Sequence, residues 1–248
     1  MSGRGRAVVF AVVAAALAAV LGAGFAGLPS FGTSTHPYGD AAVHAALALR
    51  HTANAVGSVT FDQRGLDTLG EEFILLSAVL GATLLLRPER GERPARWEVD
   101  QAPPLPAVAR GTALVLLALT FLLAISVVLH GHLTPGGGFQ GGVIAASSLH
   151  LLYVGGGPSV LSRFRPEGAY DLLEAAGAAA YVVVGLGGLV ASGAFLANDV
   201  PHGSTGAALS AGTVPLLNIA VGLEVGAGVV LLLSRFLRQE ELTAAASR

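Results

Sequence analysis

The chain has 248 residues, 53% of them hydrophobic and only 12% charged, with a formal net charge of -2 and a mean hydropathy of +0.67. Soluble domains usually carry about 25% charged residues, so lipid rather than water is the expected solvent. The lack of cysteine excludes a disulfide framework and a thiolate metal site, and a net charge so near zero gives no reason to expect nucleic acid as a partner.

A helix of roughly 20 apolar residues spans the hydrocarbon core. In chain order, uncharged runs of that kind occur at 7–28, 111–129, 133–162 (best placed over 140–154) and 175–198. The run 203–234 holds one charge, Glu224, and a span beginning near Val214. A sixth segment, 73–86, is too short at about 1.5 Å per residue. It spans only if its helix starts near Thr68 and takes Glu71 and Glu72 into the first turn. The expected fold class is an all-α membrane protein of about six transmembrane helices with a short amphipathic outer helix.

All fourteen basic residues are arginine. With six spans, one side receives Arg4, Arg6, Arg87, Arg90, Arg93, Arg96, Arg110, Arg163, Arg165, Arg235, Arg238 and Arg248. The other receives only Arg50 and Arg64. This asymmetry predicts both termini in the cytoplasm. A cleaved signal peptide is the competing reading of the first span, but cleavage would leave an odd number of crossings. The stretch from Arg87 to Pro106 is charged and then proline-rich, as a linker would be. The expected organisation is a two-helix unit over 1–90, a cytoplasmic linker over 91–106, a four-helix unit over 107–240 and a tail over 241–248.

Residues 40–58, plotted as one helix, place Asp40, His44, His51, Asn54 and Ser58 on one side. Mostly apolar residues occupy the rest, an amphipathic pattern. The plain reading is a helix lying on the outer membrane surface or against a partner. The sharper one takes His44 and His51 as proton acceptors at the mouth of an ion path, because histidine titrates near neutrality.

In "FDQRGLDTLGEE", Thr68 and Glu71 have capping-box spacing, and Asp67, Glu71 and Glu72 suit a helix N-terminus. Arg64 has acids within reach. The competing view puts the Glu71 carboxylate where water meets the membrane, able to collect a proton or a cation.

The segment "HGHLTPGGGFQGG" interrupts two apolar runs. A phosphate-binding P-loop would need a lysine, and the chain has none. Pro135 is suited to stopping a helix. Gly136, Gly137 and Gly138 permit positive φ. Phe139 follows, and Gly141 and Gly142 let the next helix pack closely on a neighbour. Exposed backbone at membrane depth needs protein or water to satisfy it. The segment is therefore either a tight outer hairpin or a broken helix lining a cavity, and ordinary turn chemistry favours the hairpin.

Glu224 lies deep in the last span. Burying a charge there costs about 2.5–3.5 kcal/mol on insertion scales, so the carboxyl should face protein or water, or hold a proton. Ala220 and Gly228 flank it one turn either way, and Gly222 and Gly226 make a second small pair suited to helix contact. His150, within its own span, is a candidate partner. A buried structural carboxyl is the plainer alternative. His202 and Asp199 supply too few ligands for a metal site, and Asp171 and Glu174 read most simply as first-turn acids. No catalytic residues, metal site or cofactor loop are expected.

"GHLTPGGGFQGGVIAA" and "SAGTVPLLNIAVGLEVGAG" together closely resemble the B subunit of the Mrp-type multisubunit sodium/proton antiporter, over roughly 105–238. The related subunit of membrane-bound hydrogenases shares the pattern. "TANAVGSVTFDQRGLDTLGEEFILLSAVLGATLLL" is similar to the E subunit of those hydrogenases and to the C-terminal part of the antiporter's large A subunit, over roughly 8–87. The resemblance implies a fusion of two small subunits. It implies a place beside A-, C- and D-like chains in a complex that exchanges Na+ for H+ across the plasma membrane of a prokaryote. It marks Glu71 and Gly136–Gly142, and carries no role over to Glu224. A redox-driven complex using the same module, and a purely structural subunit, remain the alternatives.

Overall fold

The computed structural model describes residues 3–30, 32, 36–87, 106–163 and 167–246. Its regular elements are helices: α1 (Gly3–Ala26), α2 (Pro37–His44) running into a π-helical turn (Ala45–Leu49), and α3 (Ala55–Ser58) running into a second π-helical turn (Val59–Gln63). The long helices α4 (Gly65–Leu85), α5 (Ala107–Leu129), α6 (Gly138–Arg163), α7 (Glu167–Ser192) and α8 (Val214–Ala246) follow. No strand occurs among the described residues. Nearly all of the expected linker, with Arg93 and Arg96, lies outside the described residues, as does Arg90 before it.

Five helices, α1, α4, α5, α7 and α8, are long and apolar enough to cross a membrane. α6 has 26 residues, but Gln140, Ser147, Ser148 and His150 dilute its apolar character. Leu119, Ile74, Leu84 and Val190 are exposed on α5, α4 and α7. Such an apolar exterior matches a hydrocarbon solvent and would be costly in water.

The chain divides into two compact units, Met1–Asp40 and Ala41–Arg248. The first contains α1, with exposed apolar side chains such as Phe10 and Val20. In the second, α8 is the central helix and packs against α4, α6 and α7, while α5 packs on α6. Its core joins Leu217, Val221 and Val225 of α8 to Tyr181 of α7 and Phe61 of the second π-helical turn. The segments before and after the linker thus share one core.

Small residues set the spacing. A Cβ on Gly142 of α6 would lie 2.9 Å from both Gly222 O and Gly226 N of α8. One on Gly177 of α7 would lie 2.6 Å from Ala220 O and 2.7 Å from Glu224 N. The two small-residue stripes of α8 therefore serve two neighbours, α6 and α7. Close main-chain approach of this kind is how helices pack where no hydrophobic drive distinguishes them from lipid.

Several local expectations change. Residues 40–58 do not form one helix. The chain leaves the π-helical turn at Arg50, and His51 takes φ +49, a left-handed conformation that no helix continues through. Thr68 makes no capping box: α4 starts earlier, at Gly65, and the Thr68 hydroxyl donates to Thr60 O at 2.8 Å. α5 ends at Leu129, well before Pro135, in a turn closed by N–H bonds of Leu133 and Thr134 to His130 O. α7 runs from Glu167 to Ser192 rather than over 175–198, so its first turn precedes Asp171 and Glu174.

Candidate functional site

The start of α6 shows why the glycine-rich segment has its composition. Gly136 and Gly137 take φ of +135 and +137, which disfavours any residue with a Cβ. A Cβ on Gly136 would also lie 2.8 Å from Val127 Cγ1. The tight turn delivers the Gly138 N–H to Asn218 Oδ1 at 2.8 Å. From outside, Asn54 Nδ2 donates to Gly131 O at 2.8 Å and to Thr134 O at 2.9 Å, and the Asn54 N–H donates to His132 O. The segment is a helix–helix turn, and it also lines a cavity, so it combines features of both expected forms.

That cavity has a volume of about 420 Å³. Gly136, Phe139 and Gln140 line it on one side, Thr60, Thr68, Glu71 and Glu72 on the other, with Val221 of α8. The motifs around Glu71 and around Pro135 thus meet at one cavity. Within it the two neighbouring acids differ. Glu71 is exposed, whereas Glu72 is 2% exposed and turns toward α8. Gly65, Thr68, Glu72 and Val79 form the buried stripe of α4, with the three-and-four spacing of one helix face.

Beyond Glu72 lie two more buried carboxyls. Glu224 is 1% exposed and Glu174 of α7 is 3% exposed. Glu224 interacts with Glu72 and with Glu174. The Glu174 Oε1 lies 2.8 Å from where a Cβ on Gly228 would stand, one turn further along α8 than Glu224. Both Glu224 oxygens, Glu72 Oε2 and Glu174 Oε1 are buried without a hydrogen-bond partner. Tyr181, fully buried beside Glu72, donates its hydroxyl to Gly65 O at 2.8 Å and so ties α7 to the start of α4.

The other predicted positions stand apart. His150 is half-buried on α6. It follows Gly142 on α6 by two turns, and Gly142 is already level with Gly222 and Gly226. His44 is exposed, and His51 Nδ1 lies 3.2 Å from Thr205 Oγ1. Asp67 pairs with Arg64. The sequence presents Glu72 and Glu174 only as acids near helix N-termini. The buried stripe of α4 and the Gly177 contact beside Glu174 were the signals that could have found them.

A polar cap closes this end of the second unit. Arg50 pairs with Asp62 at 3.4 Å and its guanidinium donates to Asn198 O at 3.4 Å. Burial raises the Asp62 pKa above the ordinary carboxylate value, opposed by Arg50 and Asn198. His132, 2% exposed, has a lowered pKa because burial disfavours its cation; its Nε2 lies 3.2 Å from Ala208 O. Among the described residues no group of three His, Asp or Glu side chains is placed to hold a metal ion.

A family model described as a domain related to the MnhB subunit of the Na+/H+ antiporter matches residues 108–231. That range includes Glu174 and Glu224 but not Glu72. An uncharacterized protein of Methanocaldococcus jannaschii is 33% identical over an alignment of 194 positions that covers 71% of this chain and 74% of that protein. A chain of the membrane-bound sulfane sulfur reductase, an archaeal respiratory membrane complex, is similar with a TM-score of 0.72 and 28% identity, over 94% of this chain and 98% of that one. A chain of the Mrp complex from Dietzia sp. DQ12-45-1b gives a TM-score of 0.68 and 27% identity. It matches 95% of this chain, which spans only 26% of that longer one.

Proposed function

Because the chain belongs to the family of domains related to the MnhB subunit of Na+/H+ antiporters, we propose that it is an integral membrane subunit of a multisubunit cation/proton antiporter and takes part in ion translocation. The observation that carries this reading is the burial of three carboxyls, Glu72, Glu174 and Glu224, on three helices in the interior of the second unit. Ionisable groups inside membrane helices are expensive and persist where ions move. The proposed setting is the plasma membrane of a prokaryote, with both termini cytoplasmic and A-, C- and D-like chains as neighbours. The chain is a transporter subunit rather than an enzyme, and the ions are Na+, or another cation, and H+.

Everted vesicles carrying Glu224→Gln in the whole complex test the reading. Sodium-dependent change in ΔpH should be lost while the complex still assembles. Retained antiport in a correctly assembled variant would refute a role in translocation, and failure to assemble would favour a structural subunit.

A second reading has its own support. The similarity to a chain of a respiratory sulfane sulfur reductase is as extensive as that to the Mrp complex, so the same module suits a redox-driven complex. Iron–sulfur or nickel subunits copurifying with the native complex would favour it.

A further inference from the structure

We propose that this chain itself conducts protons, along a ladder of carboxyls running from Glu71 through Glu72, Glu224 and Glu174 to Asp171. This rests on the translocation reading above and adds the ion and the route.

The ladder is ordered along α8. Glu71 opens on the cavity beneath the glycine-rich turn, and Glu72 lines the same cavity from its buried side. α4 and α8 run in the same direction from that end, with Val79 beside Gly228, so Glu72 lies roughly level with Val221, which shares the cavity with it. Glu224 stands about one turn further in, and the Glu174 oxygen reaches the level of Gly228, a further turn. At about 1.5 Å per residue, the three buried carboxyls descend along α8 by roughly 10 Å. Asp171 precedes Glu174 by three residues on α7, hence on the same face. It is exposed near the opposite end of the unit. In order, the ladder takes Glu71 and Glu72 from α4, Glu224 from α8, and Glu174 and Asp171 from α7.

The chemistry favours H+ over a bare cation. Three acids, Glu72, Glu174 and Glu224, are buried in the same unit, with four of their six carboxyl oxygens unpartnered. Three unpaired carboxylates in so dry a place would be very costly, and protonation removes that cost. The unpartnered oxygens can accept a proton from a neighbouring carboxylic acid, directly or through one water. Each transfer moves one H+ from a carboxyl oxygen to the next carboxylate and leaves the donor ionised. The net result of a full pass is one proton taken up at Glu71 and one released at Asp171.

The test uses the whole complex in liposomes, with Glu174→Gln, Asp171→Asn and Glu224→Gln compared by native gel, pH-sensitive dye and ²²Na+ binding. Glu174→Gln should assemble, bind sodium normally and lose about tenfold or more in proton flux, a rise of roughly 1.4 kcal/mol in the barrier; Glu174→Asp should recover part of it. Asp171→Asn should slow flux in the same sense. Wild-type flux in both Glu174→Gln and Asp171→Asn overturns the ladder. If Glu224→Gln alone abolishes antiport, translocation stands and only this route falls; if Glu224→Gln is also silent, both fall. Loss of sodium binding in Glu174→Gln overturns the proton assignment. Should Glu174→Gln fail to assemble, infrared difference spectra of the wild type decide. The C=O band of a buried protonated carboxyl must be present and must change during turnover, and its absence overturns the ladder.

Discussion

Asn218 of α8 holds the first turn of α6 by accepting the Gly138 N–H at 2.8 Å, while its own amide donates to Val214 O at 3.0 Å. A fully buried side chain thus satisfies a helix N-terminal N–H that the turn cannot reach for itself. Replacing it with leucine keeps the volume but leaves Gly138 N–H unpaired. The expected cost is about 1–3 kcal/mol. It should appear as a lower thermal midpoint of the purified complex and faster amide exchange at the start of α6. Unchanged exchange there would mean the bond does not hold the turn.

Two glycines of α7 make a matched pair. A Cβ on Gly177 would collide with main-chain atoms of Ala220 and Glu224, whereas one on Gly187 would meet nothing within 4 Å. Gly177→Ala should therefore separate α7 from α8, cost about 1–3 kcal/mol by overpacking, and reduce transport by moving Glu224. Gly187→Ala should be neutral or stabilising by roughly 0.5–1 kcal/mol, since alanine holds a helix better than glycine. Thermal midpoints of the two variants check the contrast, and equal effects would contradict the packing.

Tyr181→Phe removes one bond, from the phenol to Gly65 O, and little volume. The contact with Phe61, at 6.4 Å between ring centres, should survive. A loss of about 0.5–1.5 kcal/mol is expected, with exchange rising over 64–68 and not at the far end of α4. Uniform loosening of α4 would show that the helix is held elsewhere.

How much of this was legible follows from where the information resides. The long helices were readable because apolar runs and arginines are local in sequence, and Glu224 declared itself as a single charge inside one. The small-residue stripes of α8 were readable too, since spacing on one helix fixes which residues share a face. Their division between α6 and α7 was not, because partner choice is not written on either helix. Glu71 and Glu72 illustrate the limit. Both satisfy the same N-terminal electrostatics in sequence, and only the orientation of α4 against α8 buries the second. Glu174 looked like a first-turn acid because the apolar run of α7 begins only after it, whereas the helix begins at Glu167. The break after Arg50 was hidden by a favourable helical plot. Its cause is long-range: Asn54 reaches Gly131 and Thr134, and Arg50 reaches Asp62 and Asn198.

His132 makes the cap sensitive to pH, and the sign follows from its burial. Its folded-state pKa lies below the ordinary histidine value, so the unfolded or opened loop binds protons more readily than the native one. Stability then rises with pH wherever the open form holds the extra proton. The contribution from neutral His132 is complete above about pH 6.5 and is lost as pH falls from there through the lowered folded value. Acidification should first loosen residues 130–137, where Asn54 and Ala208 hold the turn, before the helices respond. Amide exchange of this segment measured across the range below neutrality should rise in the wild type. In His132→Gln, whose amide can still donate to Ala208 O without titrating, that rise should largely disappear. An identical pH response in the variant would place the sensitivity elsewhere. For Asp62 the sign is opposite, because its raised pKa makes the folded state favour the proton, so stability falls as pH rises from the unfolded toward the folded value.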